Sequence, residues 1–355
     1  MAGSIEDVAR RANVSISTVS RVINRRAVVN ENTRRRVERA IRELNYRPNM
    51  FARGLMLRKS DMIALVLPDL HGEFYSEIIR GANAKARELR YVLVVASSGG
   101  PDDDRALVND LQHRSVADGL AVMISDRTAP IGELLSDFRV PVVLLDGPPE
   151  NRVLDHVVID QRAGTRAMMR HLVDTCNKRR VFFVGGFETN VDTIERLEAY
   201  REALQEAGLP NEPDDVYHLD YEYETAYRLA HDHVRQWAGE GNCVFAANDE
   251  MASGIIDAAA ARGVEVPREL AVVGFDDTRI ARMTRPPLTT VQVPMAEMGA
   301  TAVELLCERL ADRDRSPAFI SIRPQLVVRE SCGAHLQHQG GFSGKAPGSW
   351  SPRVG

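Results

Sequence analysis

The chain has 355 residues, enough to bury a sizeable core and to divide into two or three domains. Its net charge of −5 hides a split: residues 1–60 hold 14 Lys and Arg against 5 Asp and Glu, a net of +9, while the remainder holds 31 against 45, a net of −14. No apolar stretch reaches bilayer-spanning length and the first residues lack the apolar core of a secretion signal, so membrane and exported classes are set aside and a cytoplasmic location is expected.

From Ile5 to Asn24 the chain reads IEDVARRANVSISTVSRVIN. Ile5, Val8, Ala9 and Ala12 fall on one helical stripe; Val14, Val19, Val22 and Ile23 make a second. Asn13 stands between them, and Asn tolerates positive φ better than any residue except Gly, as a tight turn between helices needs. Ser15 suits the N-cap of the second helix. A third helix is expected from Glu31, capped by Asn30, with Val37, Ala40, Ile41 and Leu44 inward and Asn45 as a left-handed end. The pattern is a helix-turn-helix with one supporting helix. The valines then face the small core, while Ile16, Ser17, Ser20 and Arg21 face out at the N-terminal end of the second helix, the part that enters the major groove of DNA in this motif. Hydroxyls and free N–H groups suit phosphates and base edges, Arg21 suits a guanine, and Ile16 suits a thymine methyl. The plainer alternative makes Ile16 a staple onto the first helix and Arg21 a solvated cation. For the head as a whole it is a solvated basic surface instead of a site for a polyanion.

Residues 45–61, NYRPNMFARGLMLRKSD, are too apolar at Met50, Phe51, Leu55 and Met56 for a plain linker, yet too short for a stable isolated helix. Gly54 weakens such a helix by about 1 kcal/mol relative to Ala. The segment is expected to fold only when two copies pack together on DNA; an apolar interdomain linker is the alternative.

Beyond residue 61, apolar strand candidates at 62–68, 91–97, 119–124, 140–146 and 156–160 form one series, and 180–186, 216–220, 243–249 and 271–277 a second. Helical patterns at 75–90, 161–175, 194–207, 222–237, 249–262 and 296–311 lie between them. The fold class is therefore α/β: a small all-α head, then two doubly wound Rossmann-like parallel-sheet lobes with a ligand cleft between them. Ligands bind such sheets beyond the carboxyl ends of the strands. There the sequence places Asp69, Asp146, Asp160, Asn248 with Asp249, and Asp276 with Asp277. Each is either a helix N-cap or part of a ring of donors and acceptors for a polyol or sugar, together with Arg196 and the aromatic faces of Phe74, Tyr75 and Phe187.

Residues 4–60 resemble the DNA-binding head of the LacI–GalR family of bacterial transcription repressors. ERLEAYREALQEAGLP, AANDEMASG, VVGFDD and PPLTTVQVPMAEMG, in that order, extend the resemblance over roughly 61–331, to the family's periplasmic-binding-protein-like core. The resemblance implies that Ile16, Ser17 and Arg21 read bases and that Ser15, Thr18, Ser20, Asn24, Asn30, Thr33, Tyr46 and Asn49 contact phosphates. It also implies that Leu55 wedges into the central minor-groove step. Gly54 departs from the usual polar hinge residue. In the body it implies that Arg196, Asn248 and Asp276 bind an effector, with Asp146 and Met295 as further pocket residues. Met295 lies where some relatives carry an aromatic. The chain of this family crosses between lobes three times. The expected organisation is thus a head at 1–47 and a hinge at 48–60. An N-terminal lobe follows from 61–159 with 290–317, then a C-terminal lobe from 160–289 with 318–331. A Gly-, Ser- and Pro-rich disordered tail occupies 332–355.

The expected function is a dimeric transcription regulator, a repressor in particular, on a pseudo-palindromic operator and controlled by a sugar-like effector. The rival is a solute-binding receptor without DNA function. Enzymatic readings find little support: VGGFETN at 184–190 is no dinucleotide fingerprint, no P-loop is present, and no catalytic triad is fixed by spacing. Cys176, Cys243, Cys307 and Cys332 lie far apart with no Cys-x-x-Cys, so neither a zinc site, a disulfide framework nor a cofactor is expected.

Overall fold

The computed structural model describes residues 4–23, 29–46, 60–97, 106–108, 110–111, 116–123, 140–147 and 153–337. The chain falls into two compact units, Met1–Met62 and Ile63–Gly355.

In the first unit, α1 (Ile5–Ala12) begins at a capping box: Ser4 Oγ accepts from Asp7 N at 3.2 Å and the Asp7 carboxylate accepts from Ser4 N at 3.0 Å. It stops at Asn13, φ 48° and ψ 57°, so this asparagine makes the left-handed turn. Helix α2 (Ile16–Ile23) starts at Ser15, whose Oγ accepts from Thr18 N at 3.2 Å. Asn30 caps α3 (Glu31–Glu43) through Asn32 N at 2.9 Å, and Asn45 beyond its end has φ 47°. Val8, Ala9, Ala12, Val19, Val22, Val37 and Ala40 are the buried core. One tie was not foreseen: the Arg36 guanidinium of α3 donates to Ala12 O at 2.7 Å and Asn13 O at 2.9 Å, filling carbonyls that the end of α1 leaves without partners.

The second unit holds two parallel sheets. Strands β1 (Met62–Leu67), β2 (Val92–Ser97), β3 (Gly119–Met123), β4 (Val142–Leu145) and β5 (Asp155–Ile159) belong to the N-terminal lobe, with α4 (Gly72–Glu88) between β1 and β2. Helix α5 (Gln161–Arg170), extended by a wider turn at His171–Thr175, leads into the C-terminal lobe. There β6 (Arg180–Gly185), α6 (Val191–Ala207), β7 (Val216–His218), α7 (Tyr223–Trp237), β8 (Asn242–Ala246), α8 (Asp249–Ala261) and β9 (Ala271–Val273) alternate. The short α9 (Ile280–Met283), β10 (Thr290–Gln292), α10 (Met295–Ala311), β11 (Phe319–Ile322), β12 (Gln325–Val327) and α11 (Ala334–Gln337) complete the chain order. Sheet orders are β11-β5-β4-β3-β1-β2 and β7-β6-β8-β9. Burial on both faces of β3 and β4 explains why they read as continuous apolar runs.

Two expected boundaries are corrected. Residues 290–292 do not start the return to the N-terminal lobe: β10 pairs antiparallel with β12 and bridges the end of β9, through Gly274 N to Thr289 O at 3.0 Å and Asp276 N to Val291 O at 2.7 Å. Nor do residues from 318 belong wholly to the C-terminal lobe, because β11 pairs in parallel with β5. The crossings therefore fall near 160, 294 and 324. Strands of three or four residues carry too little alternation to be recognised from sequence. The tail expected from 332 also starts later, since Cys332 is buried and residues 334–337 form a helical turn. Ser331 anchors this end, its Oγ accepting from Thr289 N at 2.8 Å and donating to Val272 O at 2.5 Å.

After the second crossing α10 packs against α4 so closely that a Cβ on Gly81 would stand 1.8 Å from Ala296 O, and one on Gly299 2.1 Å from Ile78 O. Only glycine at both positions permits this crossing.

Candidate functional site

On α2, Val19 and Val22 turn inward, while Ile16 is 45% exposed and Ser17 and Arg21 are exposed as well. Positions 16, 17, 20 and 21 share one helical face opposite the valines. The hydroxyls form a local net: Ser15 Oγ lies 2.8 Å from Ser17 Oγ and 2.9 Å from Thr18 Oγ1. Ser15 and Asn30 are exposed, and Thr18, Ser20, Thr33 and Tyr46 are half-buried. Ser15 and Asn30 are thus helix caps as well as candidate phosphate contacts. Asn24, Asn49, Leu55 and the hinge segment lie outside the described residues.

In the body, the strand-end residues divide by what their side chains already do. Asp160 caps α5 through Ala163 N at 2.8 Å. Asn248 caps α8 through Met251 N at 2.8 Å and donates to Tyr221 O at 2.9 Å, so both ends of its amide are engaged. Asp249 accepts from Thr278 N at 2.7 Å and Thr290 Oγ1 at 2.5 Å, Asp277 from Arg329 Nη2 at 2.5 Å, and Asp69 from Leu70 N at 2.6 Å. Two carboxylates are differently placed. Asp146 sits buried at φ 52°, just beyond β4. Asp276 is buried at φ 109°, and its Oδ1 has no hydrogen-bond partner among the described residues.

Both are within electrostatic reach of Arg196, which is only 3% exposed. Its Nε donates to Gln161 Oε1 at 2.9 Å and its Nη1 to Ala247 O at 2.6 Å; Nη2 lies 3.5 Å from Asp192 Oδ2. The guanidinium also stands 4.0 Å over the Phe275 ring. Burial raises the pKa of Asp146, Asp192 and Asp276, and Arg196 opposes the rise in all three; Asp192 adds to it at Asp146, as do Asp249 and Asp192 at Asp276. Burial pulls on the Arg196 pKa in the downward direction, but Asp192, Tyr221, Asp276 and Asp146 together hold it above its ordinary value. Three carboxyls around one guanidinium leave a surplus of acceptors. That arrangement favours a ligand rich in hydroxyl or N–H donors.

Sequence reasoning missed Asp192, Gln161 and Tyr221. The i,i+4 spacing of Asp192 and Arg196 on α6 was the available signal. Tyr221, at φ 70°, donates its hydroxyl to Asn190 Oδ1 at 2.8 Å, and its backbone carbonyl receives the Asn248 amide. A Cβ on Gly186 would meet its ring at 2.0 Å, so this glycine makes room for the tyrosine. Phe187 is exposed and edge-on to Tyr221, with ring centroids 6.4 Å apart. Phe74 is half-buried and edge-on to Tyr75 at 5.3 Å.

A groove of about 460 Å³ between the lobes is lined by Glu73 and Arg80 of α4, Asp276, Arg282, Gln292 and Met295, among others. It brings Asp276 and Met295 together but not Arg196, Asn248, Asp146 or Phe74. Met295 is itself largely buried in the core. Over this groove the lobes touch, with Glu73 Oε2 accepting from Arg279 N at 2.8 Å.

Comparison with known proteins gives the context of this geometry. Residues 4–49 match the family model for bacterial regulatory proteins of the lacI family, and residues 169–332 match that for the periplasmic binding protein-like domain. The chain is 32% identical over 329 residues to the catabolite control protein A of Priestia megaterium, covering 92% of this chain and 98% of that one. It is 33% identical over 330 residues to the transcriptional repressor PurR of Vibrio campbellii, again 92% and 98%. Among solved structures, the lac repressor dimer bound to operator and the anti-inducer ONPF superposes with a TM-score of 0.84 at 25% identity, over 94% of this chain and 99% of that one. A CelR–cellobiose complex does so at 0.70 and 31%, over 93% and 99%. No helix among the described residues is long and apolar enough to cross a membrane. The head, the two parallel-sheet lobes and this extent of similarity place the chain in the lacI family of bacterial regulatory proteins.

Proposed function

We propose that this DNA-binding transcription regulator acts as a homodimeric repressor on a pseudo-palindromic operator and is controlled by a sugar or sugar derivative bound between the lobes. The observation that carries the DNA reading is the shared outward face of Ile16, Ser17 and Arg21 on α2, beside a head whose net charge over 1–60 is +9. Arg21 reads a guanine edge and Ile16 a thymine methyl, while Ser15, Thr18, Ser20, Asn24, Asn30, Thr33, Tyr46 and Asn49 hold phosphates. Leu55 enters the minor groove at the centre of the site.

For the effector, Arg196, Asp146 and Asp276 supply polar contacts, with Phe74 as an apolar face and Asn248 and Met295 at the margin. The carboxyl surplus around Arg196 matches a donor-rich neutral ligand. Glu250 at the start of α8 has its pKa raised by burial, by Glu222 and by Glu73, which marks an acidic surrounding that disfavours anions. A sugar satisfies both conditions, and a relative of 31% identity is solved with cellobiose.

The test has two arms. Selection of duplexes from a random pool by the full-length protein should return a pseudo-palindromic sequence, with affinity falling steeply with salt. Absence of any sequence preference refutes the DNA assignment. A thermal-shift screen of sugars, sugar phosphates and nucleobases should give a neutral sugar hit that Asp276→Ala abolishes; a hit confined to nucleobases refutes the sugar assignment.

A further inference from the structure

At the end of α5 the helix widens for one turn. Cys176 N donates to His171 O at 3.0 Å, an i→i+5 bond in place of the α-helical i→i+4. Wider turns of this kind concentrate at functional positions. Its consequence here is geometric: residues five apart diverge on an ordinary helix, but in this turn the side chains of His171 and Cys176 come together, with Nε2 and Sγ 3.3 Å apart. Cys332, 161 residues further along, completes the group, its Sγ 3.3 Å from the same His171 Nε2. All three atoms lie within 4.8 Å of one another, and both cysteines are buried.

We propose that His171 Nε2, Cys176 Sγ and Cys332 Sγ bind a thiophilic divalent cation of the zinc class, which ties the segment beyond β12 to the end of α5.

The spacing supports the assignment. Metal–sulfur and metal–nitrogen bonds of about 2.3 and 2.0 Å at tetrahedral angles place sulfur and nitrogen about 3.5 Å apart, close to the separations present before any adjustment. Two thiolates and an imidazole are the donor set that selects zinc over magnesium or calcium. Three protein ligands leave a fourth corner for water. The backbone around the ligands is held on both sides, because Ser331 is hydrogen-bonded to Val272 and Thr289 and Lys178 N donates to Leu172 O at 2.9 Å. Lys178, whose side chain is largely buried, brings its Nζ to 3.9 Å from where a Cβ on Gly333 would stand, next to Cys332 in the chain. Nothing in the sequence spacing hints at this group, since its members come from opposite ends of the C-terminal lobe.

The experiment uses full-length reduced protein equilibrated with Zn(II) and passed through a desalting column, and in parallel with Co(II) as a spectroscopic probe. The expected result is one retained equivalent of zinc per chain, released by a thiol-blocking mercurial. With cobalt, a thiolate-to-metal charge-transfer band and intense tetrahedral d–d bands should appear. Cys332→Ser and His171→Ala should lose both signals, while Cys307→Ser, outside the group, keeps them. Zinc should raise the Tm of the wild type, reversibly with chelator. No retained metal and no cobalt band in the wild type overturns the proposal without any variant having to fold. Equal retention by Cys332→Ser and Cys307→Ser overturns it too, as does a Cys176–Cys332 disulfide in the protein as isolated.

Discussion

Replacing Arg196 by Met keeps an unbranched apolar stem, shorter by the guanidinium, and removes the cation from a site that contains Asp146, Asp192 and Asp276. The separation of 3.5 Å from Asp192 corresponds to an attraction of about 5 kcal/mol at an effective dielectric constant of about 20. The bonds to Gln161 and to Ala247 O are charge-assisted and add about 1.5–3 kcal/mol each. Desolvation of a guanidinium that is 3% exposed offsets several kcal/mol of this gain. What remains after substitution is Asp192 buried without its cation, and breaking a buried pair from one side costs about 3–5 kcal/mol. The loss should depend on pH. Burial already holds the three carboxyls above the ordinary 3.8, and without the guanidinium they rise further. A carboxyl that binds its proton more tightly when folded stabilises fully below its unfolded pKa, and that stability is lost as pH rises through the folded pKa. Wild type and variant lose this stability in parallel until the wild-type carboxyls ionise, so the deficit of Arg196→Met should widen as pH rises through their folded pKa values, above the ordinary 3.8, towards neutrality. Urea denaturation followed by the fluorescence of Trp237, buried in the same lobe, measures it. A loss below about 1 kcal/mol, equal at acidic and neutral pH, would refute the electrostatic account.

On DNA, Arg21→Ala should cost about 1–3 kcal/mol of operator binding and relax preference at one base pair, as gel shifts on single-substituted operators would show. Because Arg21 is exposed, head stability should stay within about 0.5 kcal/mol. Gly299→Ala forces a methyl to 2.1 Å from Ile78 O and should destabilise the body by at least about 1–3 kcal/mol in urea denaturation; an unchanged midpoint contradicts the close crossing of α4 and α10. The Glu195 carboxyl is pushed up to about 7 by burial and then by Asp192, so its contribution to stability is complete below about pH 4.5 and is lost as pH climbs to about 7. Glu195→Gln should flatten that part of the Tm–pH profile. Glu73→Ala removes the acceptor for Arg279 N and should weaken effector binding about fivefold, roughly 1 kcal/mol, in calorimetry, with the unliganded fold unchanged.

The helical head was legible because its signals are local. Ser15 and Asn30 cap, Asn13 and Asn45 turn, and valines at helical spacing make the core, each decided within a few residues. The two parallel sheets were legible for a related reason, as strands buried on both faces read as apolar runs. The edge of the fold was not. β10, β11 and β12 have three or four residues each, and their places depend on partners 33 to 163 residues away, such as Ile320 against Val157 and Gln292 against Gln325. The cleft was half legible. Arg196 and Asp276 could be named; the i,i+4 pairing of Asp192 with Arg196 on α6 was there to read, whereas Gln161 reaches Arg196 only through the packing of α6 against α5. Asn248 reads equally well as ligand or cap, and its amide turns out to be occupied at both ends.

For the proposed effector, coupling between ligand and lobes would follow from where the charges sit. Asp146 belongs to the N-terminal lobe; Asp192, Arg196 and Asp276 belong to the other, so the like-charge pressure of Asp192 on Asp146 exists only while the lobes are together. Contacts such as Glu73 with Arg279 favour that closed arrangement, and the buried carboxyls oppose it. A donor-rich ligand that hydrogen-bonds Asp146 and Asp276 at once converts the opposing interaction into a favourable one, which is the differential affinity a conformational shift requires. A ligand reaching only one lobe would bind without shifting the lobes. On the proposed effector site the same reasoning limits the candidates by size, because a ligand that engages both Asp146 and Asp276 extends from the end of β4 to the turn beyond β9. In the proposed effector response the three crossings near 160, 294 and 324 would carry any relative movement, and prolines at 294 and 324, with φ fixed by their rings, would leave the rotation to the residues beside them.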